Sequence, residues 1–137
     1  MPSFLSPVEL ELFLRLFLAA LLGWVIGLER ETLGKTAGTR TFALVALGAA
    51  LFSLSTEGSV QPIAAGIGFL CAGLIIFREG RVEGLTTAAA IWAAAALGLM
   101  IGEGQYGISI FGTILILLIL HMFRFVHPEK WKEHKDK

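Results

Sequence analysis

Two short stretches hold most of the groups in this sequence that could do chemistry. Glu29, Arg30, Glu31, Arg40 and Thr41 lie between Gly27 and Gly48, and Arg78, Glu79, Arg81, Glu83, Thr86 and Thr87 lie between Phe77 and Ala88. Carboxylates, guanidiniums and hydroxyls at these spacings can pair with one another or cap the first turn of a following helix. Glu29 directly follows Leu28, and Arg40 directly precedes an apolar run. We expect Glu29, Arg40 and Arg78 to form one charge cluster. Lys35, Glu31 and Arg81, nearer the loop centres, are expected to be solvated. Thr86 and Thr87 are expected to cap a helix that opens after Gly84, and Thr39 or Thr41 to cap the one before it.

Other chemistry is thinly supported. The run GEGQYG from Gly102 to Gly107 fits the spacing of a dinucleotide fingerprint but follows no strand. The GKT at Gly34 to Thr36 would complete a phosphate loop only with glycine at position 29, which is Glu29. His121, His127 and His134 have no second ligand at zinc spacing, and Ser53, Ser55, Ser59 and Ser109 stand in no nucleophile elbow. Cys71 is the single cysteine, so it has no partner for an internal disulfide and reads as a small buried residue. No catalytic residue emerges, and the expectation is a protein that is not an enzyme and does not bind nucleic acid.

The elements that position the two polar stretches are apolar. The chain has 137 residues, 55% of them hydrophobic, and a mean hydropathy of +0.76, too apolar for an ordinary soluble surface. Five apolar segments run over 10–28, 41–56, 62–77, 85–101 and 106–125, near the ~17 to 25 residues that cross a bilayer. A soluble bundle would need polar faces that these segments lack. The fold expected is an all-α integral membrane protein of about five transmembrane helices, with a transmembrane domain over 1–126 and a short charged cytoplasmic tail over 127–137. The first segment, with Glu9 and Glu11 ahead of Arg15 and no small-x-small cleavage site, reads as a retained helix.

Charge placement sets the orientation. Arg30, Lys35, Arg40, Arg78, Arg81, Arg124, Lys130, Lys132, Lys135 and Lys137 fall on one side of such an arrangement, and only Arg15 falls on the other. The positive-inside rule then puts the N-terminus outside and the C-terminus in the cytoplasm. Trp131 and the tail lysines suit the headgroup region and anionic lipid.

A shift of 46 residues brings Gly27 onto Gly73, Gly38 onto Gly84, Thr41 onto Thr87 and Leu51 onto Leu97, which suggests a two-helix parallel repeat. Small residues recur every four positions at Ala19, Gly23 and Gly27, at Ala64, Gly68 and Ala72, and at Ala90, Ala94, Gly98 and Gly102. Such ladders let helix backbones approach closely, within one chain or between copies. Gly23, Gly27, Gly66, Gly68, Gly73 and Gly98 are therefore candidates for packing or for a homo-oligomer interface.

The blocks GLERE, AGTRTFALVALGAA, GIGFLCAGLIIFREG and VEGLTTAAAIWAAAALGL cover most of Gly27 to Leu99. In order and spacing they resemble the signature blocks of the MgtC/SapB family of bacterial inner-membrane proteins. The resemblance carries over at Glu29 and Arg30, at Arg40 and Thr41, at Gly66 and Gly68, at Arg78, and at Gly84, Thr87 and Trp92. Cys71 stands where the family usually has glycine, and Thr39 where a leucine is common. The better-known members append a soluble cytoplasmic domain, whereas this sequence closes on a short basic tail. What the resemblance implies is a multi-pass plasma-membrane protein linked to magnesium limitation, acid stress or survival inside host cells, which restrains the membrane ATP synthase. The expected function is modulation of other membrane machinery in the lipid bilayer. The alternative is a small oligomeric transporter or channel for magnesium or protons. No cofactor is expected beyond Mg²⁺ itself, and against a Mg²⁺ site stands the lack of an acidic residue in mid-helix.

Overall fold

The structure, a computed structural model, describes residues 6–55 and 60–126, with side chains through Met122. The basic tail over 127–137, the side chain of Arg124, and Thr56, Glu57 and Ser59 lie outside the described residues.

The chain order is α1 (Pro7–Thr32), α2 (Thr39–Ser55), α3 (Gln61–Ala72), β1 (Ile76–Arg78), β2 (Arg81–Glu83), α4 (Leu85–Gly102) and α5 (Tyr106–Val126). Helix α1 starts where the sequence supplies a capping box. The Ser6 hydroxyl accepts from the Glu9 backbone N–H at 3.2 Å, the Glu9 carboxylate accepts from the Ser6 N–H at 2.7 Å, and Pro7 takes the first helical position. The helix ends at Thr32 with Leu33 as its C-cap, and Gly34 follows with φ 63, a conformation that costs glycine little. Pro62 sits in the first turn of α3, where its missing N–H has no intrahelical partner to lose.

Helix α2 lies between α1 and α4, and glycines set the spacing on both sides. A Cβ at Gly23 would collide with the Phe42 carbonyl oxygen, and one at Gly27 would stand 2.6 Å from Thr39 Cα. On the other side a Cβ at Gly98 would collide with the Ala46 carbonyl, and one at Gly102 with the Ser53 side chain. These ladders are thus used inside the chain, as backbone-to-backbone contact. The stripe Ala19–Gly23–Gly27 is not left free for a second copy. Gly66 and Gly68 are different, since among the described residues a Cβ at either would meet nothing within 4 Å. At Gly73, the C-cap of α3, it would make ordinary contact with the Leu70 carbonyl oxygen at 3.4 Å.

The core is built mostly of small side chains around a few large ones. Ile26, Phe42 and Ile91 are fully buried and are joined by Ala88, Ala90 and Ala94. Helix α4 is buried along most of its length, whereas α5 and α3 turn large apolar side chains outward, Phe69 being 84% exposed. A soluble protein of this size rarely exposes so continuous an apolar surface. Among the described residues, α1 and α4 are long and apolar enough to cross a membrane, and α2, α3 and residues Tyr106–Met122 of α5 are shorter apolar helices.

The third apolar segment, expected as one helix over 62–77, is corrected. Its helix stops at Ala72, and Ile76–Arg78 pairs antiparallel with Arg81–Glu83. Two residues close the hairpin, Glu79 at φ 49 and Gly80 at φ 79, the signs a type I′ turn requires. At 12 residues α3 is ~18 Å long, well short of a ~30 Å hydrocarbon core. The 46-residue shift is matched unevenly. Gly38 and Gly84 each stand immediately before a helix, but Gly27 is buried within α1 while Gly73 ends α3.

Candidate functional site

The buried face of α1 runs Ala19, Gly23, Ile26 and Gly27, and one turn later it reaches Arg30. Because α1 continues to Thr32, Arg30 is carried into the packed interior, where it is 3% exposed. The close approach at Gly27 brings in the start of α2, and the opening turn of α4 brings in Thr87. Arg30 Nη2 donates to Thr87 Oγ1 at 3.2 Å. Arg30 Nη1 lies 3.8 Å from Glu29 Oε2, an ion pair too long for a hydrogen bond.

Among the described residues, three buried polar atoms at this site have no hydrogen-bond partner: Glu29 Oε1, Glu29 Oε2 and Arg30 Nε. A buried guanidinium and carboxylate are stabilised only when each compensates the other's lost hydration. Here the compensation is partial, so this corner of the bundle concentrates unsatisfied polarity. It is at the end of the molecule where α1 ends, α2 begins and α4 begins.

The other residues of the two polar stretches are placed differently. Arg40, Arg78 and Thr86 are exposed and Thr41 is partly buried. Among the described residues neither Arg40 nor Arg78 makes an ion pair with Glu29, so the expected Glu29–Arg40–Arg78 cluster does not form. Arg40 is in the first turn of α2 and Arg78 is in β1, so both end in solvent-accessible positions, whereas Arg30 continues the buried stripe.

Two capping expectations also change. Helix α4 has Gly84 as its N-cap with no side-chain cap, and Thr87 is buried and accepts from Arg30 instead. Glu31 is exposed, as expected, and it rather than a Thr39 or Thr41 hydroxyl is the group that caps α2. Its Oε2 accepts from the Thr39 backbone N–H at 2.8 Å and also from the Thr39 hydroxyl. A carboxylate at a helix N-terminus satisfies a free donor and complements the helix dipole.

Sequence reasoning missed a second polar knot at the opposite end of the bundle. Arg15 Nε donates to Tyr106 Oη at 3.1 Å, its Nη1 donates to the Gly102 carbonyl at 2.7 Å, and its Nη2 pairs with Glu11. One guanidinium thereby ties α1 to the last carbonyl of α4 and the first residue of α5. The available signal was the Glu11–Arg15 spacing of four, which puts the pair on one helix face.

Neither knot suits a divalent metal. Among the described residues no three His, Cys, Asp or Glu side chains converge. Among the described residues the carboxylate whose oxygens are buried, that of Glu29, faces a guanidinium, whereas Mg²⁺ takes an octahedral shell of oxygens. Cys71 is buried, and its thiol donates to the Ala88 carbonyl at 3.2 Å, a packing role.

The profile of the MgtC family matches residues 16–128. Protein SrpB of Synechococcus elongatus is 45% identical to this chain, over 89% of this chain and 80% of its own length. The Escherichia coli protein named "Putative magnesium transporter YhiD" is 38% identical over 82% of this chain and 60% of its own length. Protein MgtC of Salmonella typhimurium is 48% identical over 76% of this chain and 48% of its own length. The chain thus spans most of SrpB but only about half of MgtC. No solved structure matches it. With the profile covering most of its length and SrpB 45% identical over most of both chains, the chain belongs to the MgtC family.

Proposed function

We propose that this chain is a multi-pass protein of the bacterial inner membrane that acts under magnesium limitation or acid stress by modulating other membrane machinery, without catalysing a reaction. The N-terminus is periplasmic and the end carrying Arg30, Lys35, Arg40, Arg78 and Arg81 faces the cytoplasm, in keeping with the excess of cations there over the lone Arg15 at the other end. The apolar outer surface of α3 and α5 supports a lipid setting. Magnesium enters through the relatives, one of which carries magnesium transport in its name.

The observation that carries modulation over transport is the chemistry of the buried corner. A guanidinium held by a hydroxyl and faced by one carboxylate would repel a divalent cation more readily than hold it. The same corner leaves buried donors and acceptors unsatisfied, which favours a conformationally responsive element. The partner that the family resemblance points to is the membrane ATP synthase. The open positions at Gly66 and Gly68 on α3 leave room for a second copy, so a homo-oligomer is part of the proposal.

The test uses inverted inner-membrane vesicles with and without the chain. ATP-driven proton pumping should fall when the wild-type chain is present and recover with Arg30→Met at equal abundance. Purified protein in liposomes should pass no Mg²⁺. Mg²⁺ flux in liposomes that disappears in Glu29→Gln would overturn this reading in favour of the transporter.

A further inference from the structure

Between α3 and α4 stands the β1–β2 hairpin, a feature that the helical bundle does not explain. Its six strand residues are all exposed. A lone two-stranded hairpin is marginal in water and needs a surface to cover one face. Its base is fixed: Gly84 has φ 82, and a Cβ there would collide with the Leu74 carbonyl, so the chain closes tightly where the hairpin leaves the bundle. The hairpin thus has a fixed root and an uncovered body.

The register orders its chemistry from root to tip. Ile76 is opposite Glu83, then Phe77 opposite Val82, then Arg78 opposite Arg81, with Glu79 and Gly80 in the turn. Directly opposed residues share a face and alternate pairs change face. Phe77 and Val82 therefore form an apolar pair on one face, 75% and 56% exposed. Arg78 and Arg81 form a cationic pair on the other face, one step nearer the tip. Like charges directly opposed destabilise a hairpin. Among the described residues neither arginine makes an ion pair that would relieve this.

We propose that the hairpin is a lipid-docking element, with Phe77 and Val82 entering the acyl boundary and Arg78 and Arg81 binding the phosphates of anionic phospholipid. The charge complementarity selects an anionic headgroup, since one phosphate bridging two guanidiniums converts their repulsion into attraction. The depth order selects a bilayer. The apolar pair is nearer the helices, whose exposed Phe69 and Leu70 lie on the segment leading into the hairpin, and the cations are at the tip. This inference rests on the membrane reading above, and its test separates the two.

The experiment uses the full chain with Cys71→Ala and a single nitroxide label at Val82→Cys or, as a control, at Leu118→Cys on the exposed side of α5. The protein is placed in bilayers of phosphatidylcholine alone or mixed with phosphatidylglycerol. At both sites the label should be accessible to oxygen and shielded from an aqueous relaxation agent. Native mass spectrometry of the unlabelled chain should show several-fold preferential retention of phosphatidylglycerol, lost in Arg78→Gln/Arg81→Gln while α-helix content is unchanged. A label at Val82 that reads as aqueous while Leu118 reads as lipid overturns the hairpin proposal and leaves the membrane reading standing. Aqueous readings at both sites overturn both. A label at Val82 shielded from both agents points to a protein contact and also overturns the lipid proposal, as does unchanged lipid preference in the double variant.

Discussion

Arg30 Nη2 donates to Thr87 Oγ1 at 3.2 Å across 57 positions of sequence, joining the last turn of α1 to the first turn of α4. The contact holds together the two helices that flank α2. Among the described residues it is also the sole hydrogen bond of the Arg30 guanidinium, since Nη1 reaches Glu29 only at 3.8 Å and Nε has no partner there. Stability at this corner therefore depends on one hydroxyl.

The first prediction follows from that dependence. Thr87→Val keeps the shape and removes the acceptor, leaving a buried donor unmet at a cost of ~1 to 3 kcal/mol. Thr87→Ser keeps the hydroxyl and should retain most of the stability. Thermal melting in mild detergent checks the pair, and equal melting of the valine and serine variants would show that the hydrogen bond contributes little.

The second concerns the close approach of α4 to α2. Gly98→Ala drives a Cβ into the Ala46 carbonyl, and such overpacking costs ~1 to 3 kcal/mol. Gly48→Ala, in the same pair of helices, meets nothing within 4 Å among the described residues. There the better helix propensity of alanine should dominate and stabilise by up to ~1 kcal/mol. Opposite shifts in the melting midpoint are expected, and a loss at both positions would mean that the space beside Gly48 is filled by something else.

Most helix boundaries were legible because apolar length and its interruptions are strong signals. The five apolar segments correspond to the five helices, and four of them end within a few residues of the expected positions. The third failed because Leu74, Ile75, Ile76 and Phe77 prolong the apolar run, and apolar composition alone does not separate helix from strand. The β-branched pair Ile75–Ile76 and the Glu79–Gly80 turn were the missed cues. In the site, Arg30 and Arg40 look alike as charges at an apolar boundary. Only helical phase separates them, with Arg30 three positions after Gly27 on the buried stripe, and that phase is readable only if α1 is known to run past Leu28. The role of Glu31 as a cap eight residues away from Thr39 depends on the geometry of the intervening loop, which no local pattern encodes.

The third prediction tests that cap. Glu31→Ala should remove the acceptor for the Thr39 N–H and loosen the first turn of α2, as lost N-caps do. Arg81→Gln, at an exposed hairpin position, should change bundle stability by less than ~0.5 kcal/mol. Hydrogen exchange at the first turn of α2 supplies a local reading. Protection there should fall in Glu31→Ala alone, and unchanged protection would assign the cap to another group.

The last prediction asks which cation Glu29 answers to. Its two carboxylate oxygens are buried without hydrogen bonds, and the only cation within ion-pair distance among the described residues is Arg30. Arg30→Met replaces the guanidinium by an apolar chain of comparable reach, leaves the carboxylate buried and unpaired, and should cost ~3 to 5 kcal/mol by analogy with other broken buried pairs. Glu29→Gln strands the guanidinium with Thr87 alone and should also destabilise, by less because that hydrogen bond remains. The double variant Glu29→Gln/Arg30→Met strands neither charge and should be more stable than the sum of the single losses predicts, a coupling of ~0.5 to 3 kcal/mol. Glu29→Gln combined with Arg40→Gln should show no such recovery, because Arg40 is exposed at the start of α2 and forms no pair with Glu29. The measurement is denaturation of each variant in the same detergent, together with abundance in the membrane. Recovery with Arg40 and not with Arg30 would mean that the carboxylate turns outward to the second helix, and the buried corner would then lose its claim to be the functional centre.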